Sequence, residues 1–154
     1  MIKAHTSGML ITLFIGVLLS LLPLPPAIDR ACPLWVLLIL VYWAIETPFS
    51  IPIEVVWLMG ILLDVSQSTL LGEHAFALTI VMLGVAKMSR QLHMFPVFQK
   101  ILSVFFIMLI YQCILLGLQS VGGGASLNPW YWMTSVTSTL AWPVLSRILK
   151  ACLP

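Results

Sequence analysis

Four stretches of the chain, Met9 to Leu24, Leu70 to Ala86, Val97 to Leu118 and Trp132 to Leu149, are rich in apolar residues. Each approaches the roughly 20 residues that an α-helix needs to cross the hydrocarbon core of a bilayer, fewer where neighbours thin it. Composition points the same way: 61% of the 154 residues are hydrophobic, only 8% are charged and the mean hydropathy is +1.11. That lies far outside the usage of soluble domains and places the chain in a membrane. The length suits one domain, and neither an internal repeat nor a linker divides it. With a net charge of only +2 and no basic stripe, a nucleic-acid partner is not expected.

Between the first two apolar stretches, Leu34 to Leu63 is interrupted by Glu46, Pro48, Pro52 and Glu54. One continuous helix would carry two prolines and two acids near mid-bilayer, each proline costing about 3 kcal/mol. Two short helices turning at ETPFSIP avoid that cost. The expectation is therefore six helices, over roughly 9–24, 34–47, 51–64, 70–87, 97–118 and 132–149. With both termini in the cytoplasm, Lys3, Lys87, Arg90, Lys100, Arg147 and Lys150 fall inside and only Arg30 outside, as positive charge is normally distributed. The amino-terminal MIKAHTSG and the apolar run behind it lack a small-residue cleavage site, so they are expected to stay as a first helix. Trp35, Trp57, the Trp130-Tyr131-Trp132 triplet and Trp142 are expected near the interfaces. The cysteines, Cys32, Cys113 and Cys152, have no ligand spacing and are read as apolar or free thiols.

Chemistry is sparse. His5, His74 and His93 are scattered, and neither HExxH, GxSxG nor a pair of helical aspartates occurs, so no enzyme, cofactor or metal is expected. The hydroxyls within helices, Thr12, Ser20, Thr79, Ser103 and the run Thr134, Ser135, Thr137, Ser138 and Thr139, are expected to bond their own backbone or a neighbouring helix; the last run is also a candidate lining for a small polar cavity. Gly16/Ser20 and Ser135/Thr139 would let helices approach closely, and Pro143 should kink the last helix. The QSVGGGASLNP segment reads as a flexible connector.

The acids near residue 70 pose the sharper question. Glu73 suits the first turn of a helix that Ser68 and Thr69 would cap. Asp64 falls at the carboxyl end of the preceding helix, where the dipole disfavours it. Two roles are open for it: an Asx-turn on the N–H groups of Ser66 and Gln67, or a bracket tying the turn to a neighbour such as Arg30. Gly60 would permit close helix packing, and Gly72 a turn conformation closed to other residues.

In RACPLWVLLILVYWAIETP, residues 30–48, the positions of Pro33, Trp35, Tyr42, Trp43 and Pro48 resemble the second segment of the rod shape-determining protein MreD family. In LMGILLDVSQSTLLGEHAFAL, residues 58–78, Gly60, Asp64 and Gly72 resemble that family's Gly-x-x-x-Asp followed eight residues later by Gly. A Leu-Pro-x-Pro element (Leu22, Pro23, Pro25) and an Ala-Trp-Pro element (Trp142, Pro143) before a basic end follow in matching order. The resemblance implies a non-enzymatic subunit of the elongasome, which inserts peptidoglycan along the side wall of rod-shaped bacteria. It would associate with MreC and, through it, with MreB filaments and the RodA glycosyltransferase with its transpeptidase partner. It also implies a fold similar to the six-helix substrate-binding components of energy-coupling-factor vitamin transporters, which makes such a transporter component the alternative function. Those components dock through an Ala-x-x-x-Ala pair in their first helix, and Met9 to Leu24 contains no alanine. Two features depart from the shape family: the 46–54 loop lacks its frequent basic residues, and the tail ends four residues after Lys150. The resemblance thus casts the protein as a membrane scaffold of lipid-facing apolar helices, its outer Asp64 to Gly72 turn fixing the shape of a partner-binding face.

Overall fold

The most apolar helix is also the most enclosed. In the computed structural model, which describes residues 2–22, 25, 32–46, 51–123 and 129–152, every residue from Val36 to Ile45 is buried. Among the described residues that helix is the second of six: α1 (Ile2–Ser20), α2 (Trp35–Glu46), α3 (Ile53–Gln67), α4 (Glu73–Met94), α5 (Val97–Val121) and α6 (Met133–Cys152), with a 3₁₀ turn over Pro129–Trp132 before α6. A helix with an apolar stripe buries one face; one apolar all round is buried on every side. The second case holds for α2, which packs against α1, α4 and α6. Its 12 residues reach only about 18 Å along the axis, short of the roughly 30 Å hydrocarbon thickness; its neighbours shield it.

Prolines and a glycine set where helices begin. Pro52 and Pro96 occupy the cap positions of α3 and α5 with φ of −56° and −62°. There a missing N–H costs nothing, and their carbonyls accept the first-turn N–H groups of Val55 and Lys100, each at 3.0 Å. The short connections 68–72 and 95–96 fold α3 against α4 and α4 against α5, as short loops between helices do. Observed limits differ from expectation mainly at the ends. The first helix begins at Ile2 rather than Met9, α3 continues past Asp64 to Gln67, and α4 begins at Glu73 and runs on to Met94. The turn expected at ETPFSIP lies in part outside the described residues, but it does separate two helices.

Packing inverts the pattern of a soluble protein. Large apolar side chains lie exposed along α1 (Leu10, Phe14), α3 (Leu58), α5 (Phe106, Ile110) and α6 (Leu140, Val144), a surface that water does not tolerate at this extent and lipid does. α4 and α5 are each long and apolar enough to cross a membrane, while the apolar helical stretches Gly8–Ser20 and Trp35–Glu46 are shorter. Of the aromatic residues expected near interfaces, Trp57 and Trp132 are exposed, but Trp142 is buried, its ring 6.3 Å from that of Tyr42. It faces the one helix that needs covering on all sides.

Polar tethers hold the interior together. Trp43 Nε1 donates to Thr12 Oγ1 at 3.0 Å, joining α2 to α1. The N–H of Leu34 donates to Ser138 Oγ at 2.9 Å, joining the start of α2 to α6. Gln112 Nε2 donates to the carbonyl of Tyr131 at 2.9 Å, and its amide oxygen accepts from the Ser135 hydroxyl, joining α5 to α6. At one end of the bundle the Glu46 carboxylate stands 3.1 Å from Lys150 Nζ and 3.9 Å from Lys100 Nζ, and His93 Nδ1 donates to the carbonyl of Ile45 at 3.1 Å. Asp64, His74 and Tyr131 lie towards the opposite ends of their helices.

Candidate functional site at the α3 to α4 turn

A carboxylate at the end of α3 meets the negative end of its own helix dipole, yet Asp64 is fully buried there. Its stabilisation comes from the next helix. Oδ2 accepts the N–H of Gly72 at 2.7 Å, and Oδ1 accepts the N–H of His74 at 2.9 Å, so one side chain caps the amino terminus of α4 from the turn before it. Oδ1 lies 2.8 Å from His74 Nδ1 and 3.2 Å from Thr69 Oγ1. An ionised carboxylate has no proton to give, so both donate to it. Its carbonyl meanwhile accepts the N–H groups of Ser68 and Thr69, closing α3. Four donors around a carboxylate hidden from solvent offset the desolvation that an unpaired charge would suffer.

These contacts correct two expectations. The side chain of Asp64 accepts from Gly72 and His74 rather than forming an Asx-turn on Ser66 and Gln67, and α4 is capped by Asp64 rather than by Ser68 or Thr69. Arg30, offered as the bracket partner, lies outside the described residues, as does Pro48. Ser68 instead ends α3 with φ of +54°, and Gly72 precedes α4 with φ of +103°, a conformation in which a Cβ is strained.

Gly60 stands one helical turn before Asp64, on the face of α3 turned to α4. A Cβ there would fall 2.2 Å from the Cα and 2.6 Å from the nitrogen of Ala75. The backbones of α3 and α4 therefore touch next to the capped turn, with Ala75 directly following His74. The other residues singled out by sequence are distributed differently: Tyr42 and Trp43 lie within buried α2, Trp142 packs on Tyr42, Pro143 is inside α6, and Pro33 before α2 and Trp35 at its start are half-buried. Tyr42, Trp43 and Trp142 thus pack the core and form no exposed face.

Beside the turn lies a partly open cavity of about 700 Å3. His74 and Gln67 border it from the α3 to α4 side, Tyr111, Gln112 and Gln119 from α5, and Tyr131 and Thr134 from the start of α6. The rings of His74 and Tyr111 are 6.5 Å apart. The hydroxyl of Tyr131 is enclosed and has no hydrogen-bond partner; burial, and secondarily the neighbouring Cys113, pushes its phenol up to about 12, so it stays protonated. Sequence reasoning missed His74, Tyr111, Gln112 and Tyr131 as a group. One signal was present: an acid placed against its own helix dipole, with a new helix starting a few residues on, implies that the second helix supplies its donors.

The fold and this turn define an all-helical membrane protein whose buried charge serves helix junctions. The chain belongs to the rod shape-determining protein MreD family, whose model matches residues 3–152. A curated relative, the rod shape-determining protein MreD of Haemophilus influenzae, is 32% identical over 105 residues, which cover 66% of this chain and 64% of that protein's length. No solved structure matches.

Proposed function

We propose that the protein is a non-enzymatic membrane scaffold of the elongasome that supports side-wall peptidoglycan synthesis by binding MreC, and through MreC connects to MreB, RodA and the penicillin-binding transpeptidase. The observation that carries this reading is the family match across nearly the whole chain. The single polytopic domain is read as a full transmembrane bundle of the inner membrane, similar to the six-helix transporter components, with both termini in the cytoplasm. Its apolar exterior supports that, as does the gathering of Glu46, Lys100 and Lys150 at one end of the bundle. Within it, Asp64 and Gly72 hold the turn and Gly60 the helix contact on which the shape of a partner-binding surface depends.

The test is affinity purification of the tagged protein from its native membranes in mild detergent. Copurification of MreC with the cell-wall synthases is the expected result. Recovery of an ATPase module or a vitamin-like ligand without MreC would replace this reading with the transporter one.

A further inference from the structure

The backbones of α3 and α4 touch at Gly60 and Ala75, and on the far side of that contact from the Asp64 turn the two helices part. Between them runs a lateral groove of about 440 Å3. Ile53 and Val56 of α3 line one side and Met82, Leu83 and Ala86 of α4 the other, with buried Ala44 of α2 behind them. Ile53 and Leu83 are 46% and 50% exposed, so the groove opens on the apolar exterior of the bundle. The hydroxyls of Thr79 and Ser89 on its wall already donate to carbonyls of their own helix, those of Ala75 and Ala86, at 2.7 and 2.9 Å. Arg90 borders the groove beyond them, towards the end of the bundle that carries Glu46, Lys100 and Lys150. Among the described residues it forms no ion pair. Glu46 is engaged by the two lysines, and Glu54 is exposed outside the groove lining. Residues 47–50, outside the described residues, carry no charge in the sequence. The groove is therefore apolar along its length and positive at one end.

We propose that this groove seats one acyl chain of an anionic phospholipid, with the lipid phosphate on the Arg90 guanidinium. From Thr79 to Arg90 the groove follows eleven residues of α4, about 16 Å of helix, close to half of a hydrocarbon core about 30 Å thick. A chain lying along it spans one leaflet and leaves its headgroup at the interface, where Arg90 stands. Dividing the volume by that length gives a mean cross-section of roughly 27 Å2, about a third of that of a helix 10 Å across. That is too narrow for a partner helix and wide enough for a hydrocarbon chain. Basic pockets between transmembrane helices hold anionic headgroups at the cytoplasmic face, and a guanidinium pairs with phosphate through two N–H groups at once. A soluble anion would gain nothing from the apolar wall, whose hydroxyls are already bonded. Which leaflet supplies the lipid rests on the orientation proposed above; the site itself does not.

The experiment uses the full chain purified in a non-ionic detergent and titrated with palmitoyl-oleoyl phosphatidylglycerol or with the phosphatidylcholine of the same chains, bound lipid being counted by native mass spectrometry. Retention of one phosphatidylglycerol in preference to phosphatidylcholine is the expected result. Arg90→Gln should weaken that retention about fivefold, the worth of one basic group at an anionic lipid. Lys87→Gln, exposed on the same end of α4 but outside the groove lining, should leave it unchanged. Ala86→Phe, at an exposed position on the groove wall, puts a ring where the chain would lie and should abolish tight retention. The proposal is overturned if the two lipids are held equally, if Lys87→Gln loses as much as Arg90→Gln, or if Ala86→Phe retains phosphatidylglycerol like the native protein, which would place the lipid elsewhere. Arg90→Gln changes an exposed side chain, so its comparison with Lys87→Gln decides the matter even where the phenylalanine variant is unstable. Because neither a partner protein nor a bilayer orientation enters this measurement, failure here leaves the MreC reading standing, and loss of MreC copurification leaves this one standing.

Discussion

At the scale of single residues, Asp64 accepts from both its side chain and its backbone: the carboxylate takes the N–H of Gly72, the N–H and ring Nδ1 of His74 and the hydroxyl of Thr69, and the carbonyl takes the N–H groups of Ser68 and Thr69. Asp64→Ala strands the buried N–H groups of Gly72 and His74 and the His74 ring, and is expected to cost about 3 kcal/mol, read as a lower Tm in detergent and a lower protein level in membranes. Asp64→Asn keeps one oxygen acceptor but turns a donor toward one of these N–H groups, so it should fall between the two; full native stability in the alanine variant would remove the turn from its structural role. Ser68 points the other way. It holds a left-handed backbone that costs an L-residue about 1 kcal/mol or more, so Ser68→Gly should raise Tm slightly, and a fall would show that its side chain matters more than its backbone. The Gly60, Asp64 and Gly72 spacing was legible along the chain, but the partner of Asp64 was not. His74 is ten residues away, and the pairing exists only because the turn folds α4 back against α3.

At the scale of elements, the closest junction is α3 on α4. A Cβ at residue 60 would meet the main chain of Ala75, not merely its methyl group, and two helix backbones cannot be relieved by a rotamer change. Gly60→Ala should therefore sharply reduce the folded protein recovered, and adding Ala75→Gly should not restore it. Rescue by the second substitution would locate the clash in the Ala75 side chain instead. Helix α2 shows a different limit of sequence reading. Its existence was clear from an apolar run between Pro33 and Glu46, but a run without a polar face gives no direction of burial, and only the surrounding α1, α4 and α6 reveal that it is enclosed. The hydroxyls of α6 behaved in both of the ways open to them. Thr137 and Thr139 bond their own helix, whereas Ser135 reaches α5 and Ser138 bonds both its own helix and the start of α2.

For the whole molecule, the alternating helices place Glu46, His93, Lys100 and Lys150 at one end and the Asp64 turn with its cavity at the other. The exposed positions Leu71 and Met94 mark the two ends of α4. In a background with Cys32, Cys113 and Cys152 replaced, Leu71→Cys should react with a membrane-impermeant maleimide added outside intact inner membranes, and Met94→Cys only after the membrane is opened. The reverse labelling would invert the proposed orientation, and equal labelling of both from outside would show that α4 does not span.

Sequence by itself determined that the chain is a membrane protein, that helices fill its described residues in the expected order, and which family's spacing the Gly60 to Gly72 segment carries. These properties are sums over neighbouring residues: hydropathy, periodicity and backbone restriction are all local. Tertiary structure decided that Asp64 caps the helix after its own, that Trp142 turns inward, that Gln112 clasps Tyr131 and Ser135, and that His74, Tyr111 and Tyr131 border one cavity. Each of those depends on which helices become neighbours and on how they are rotated about their axes, and in a chain apolar on nearly every face no local pattern encodes that choice.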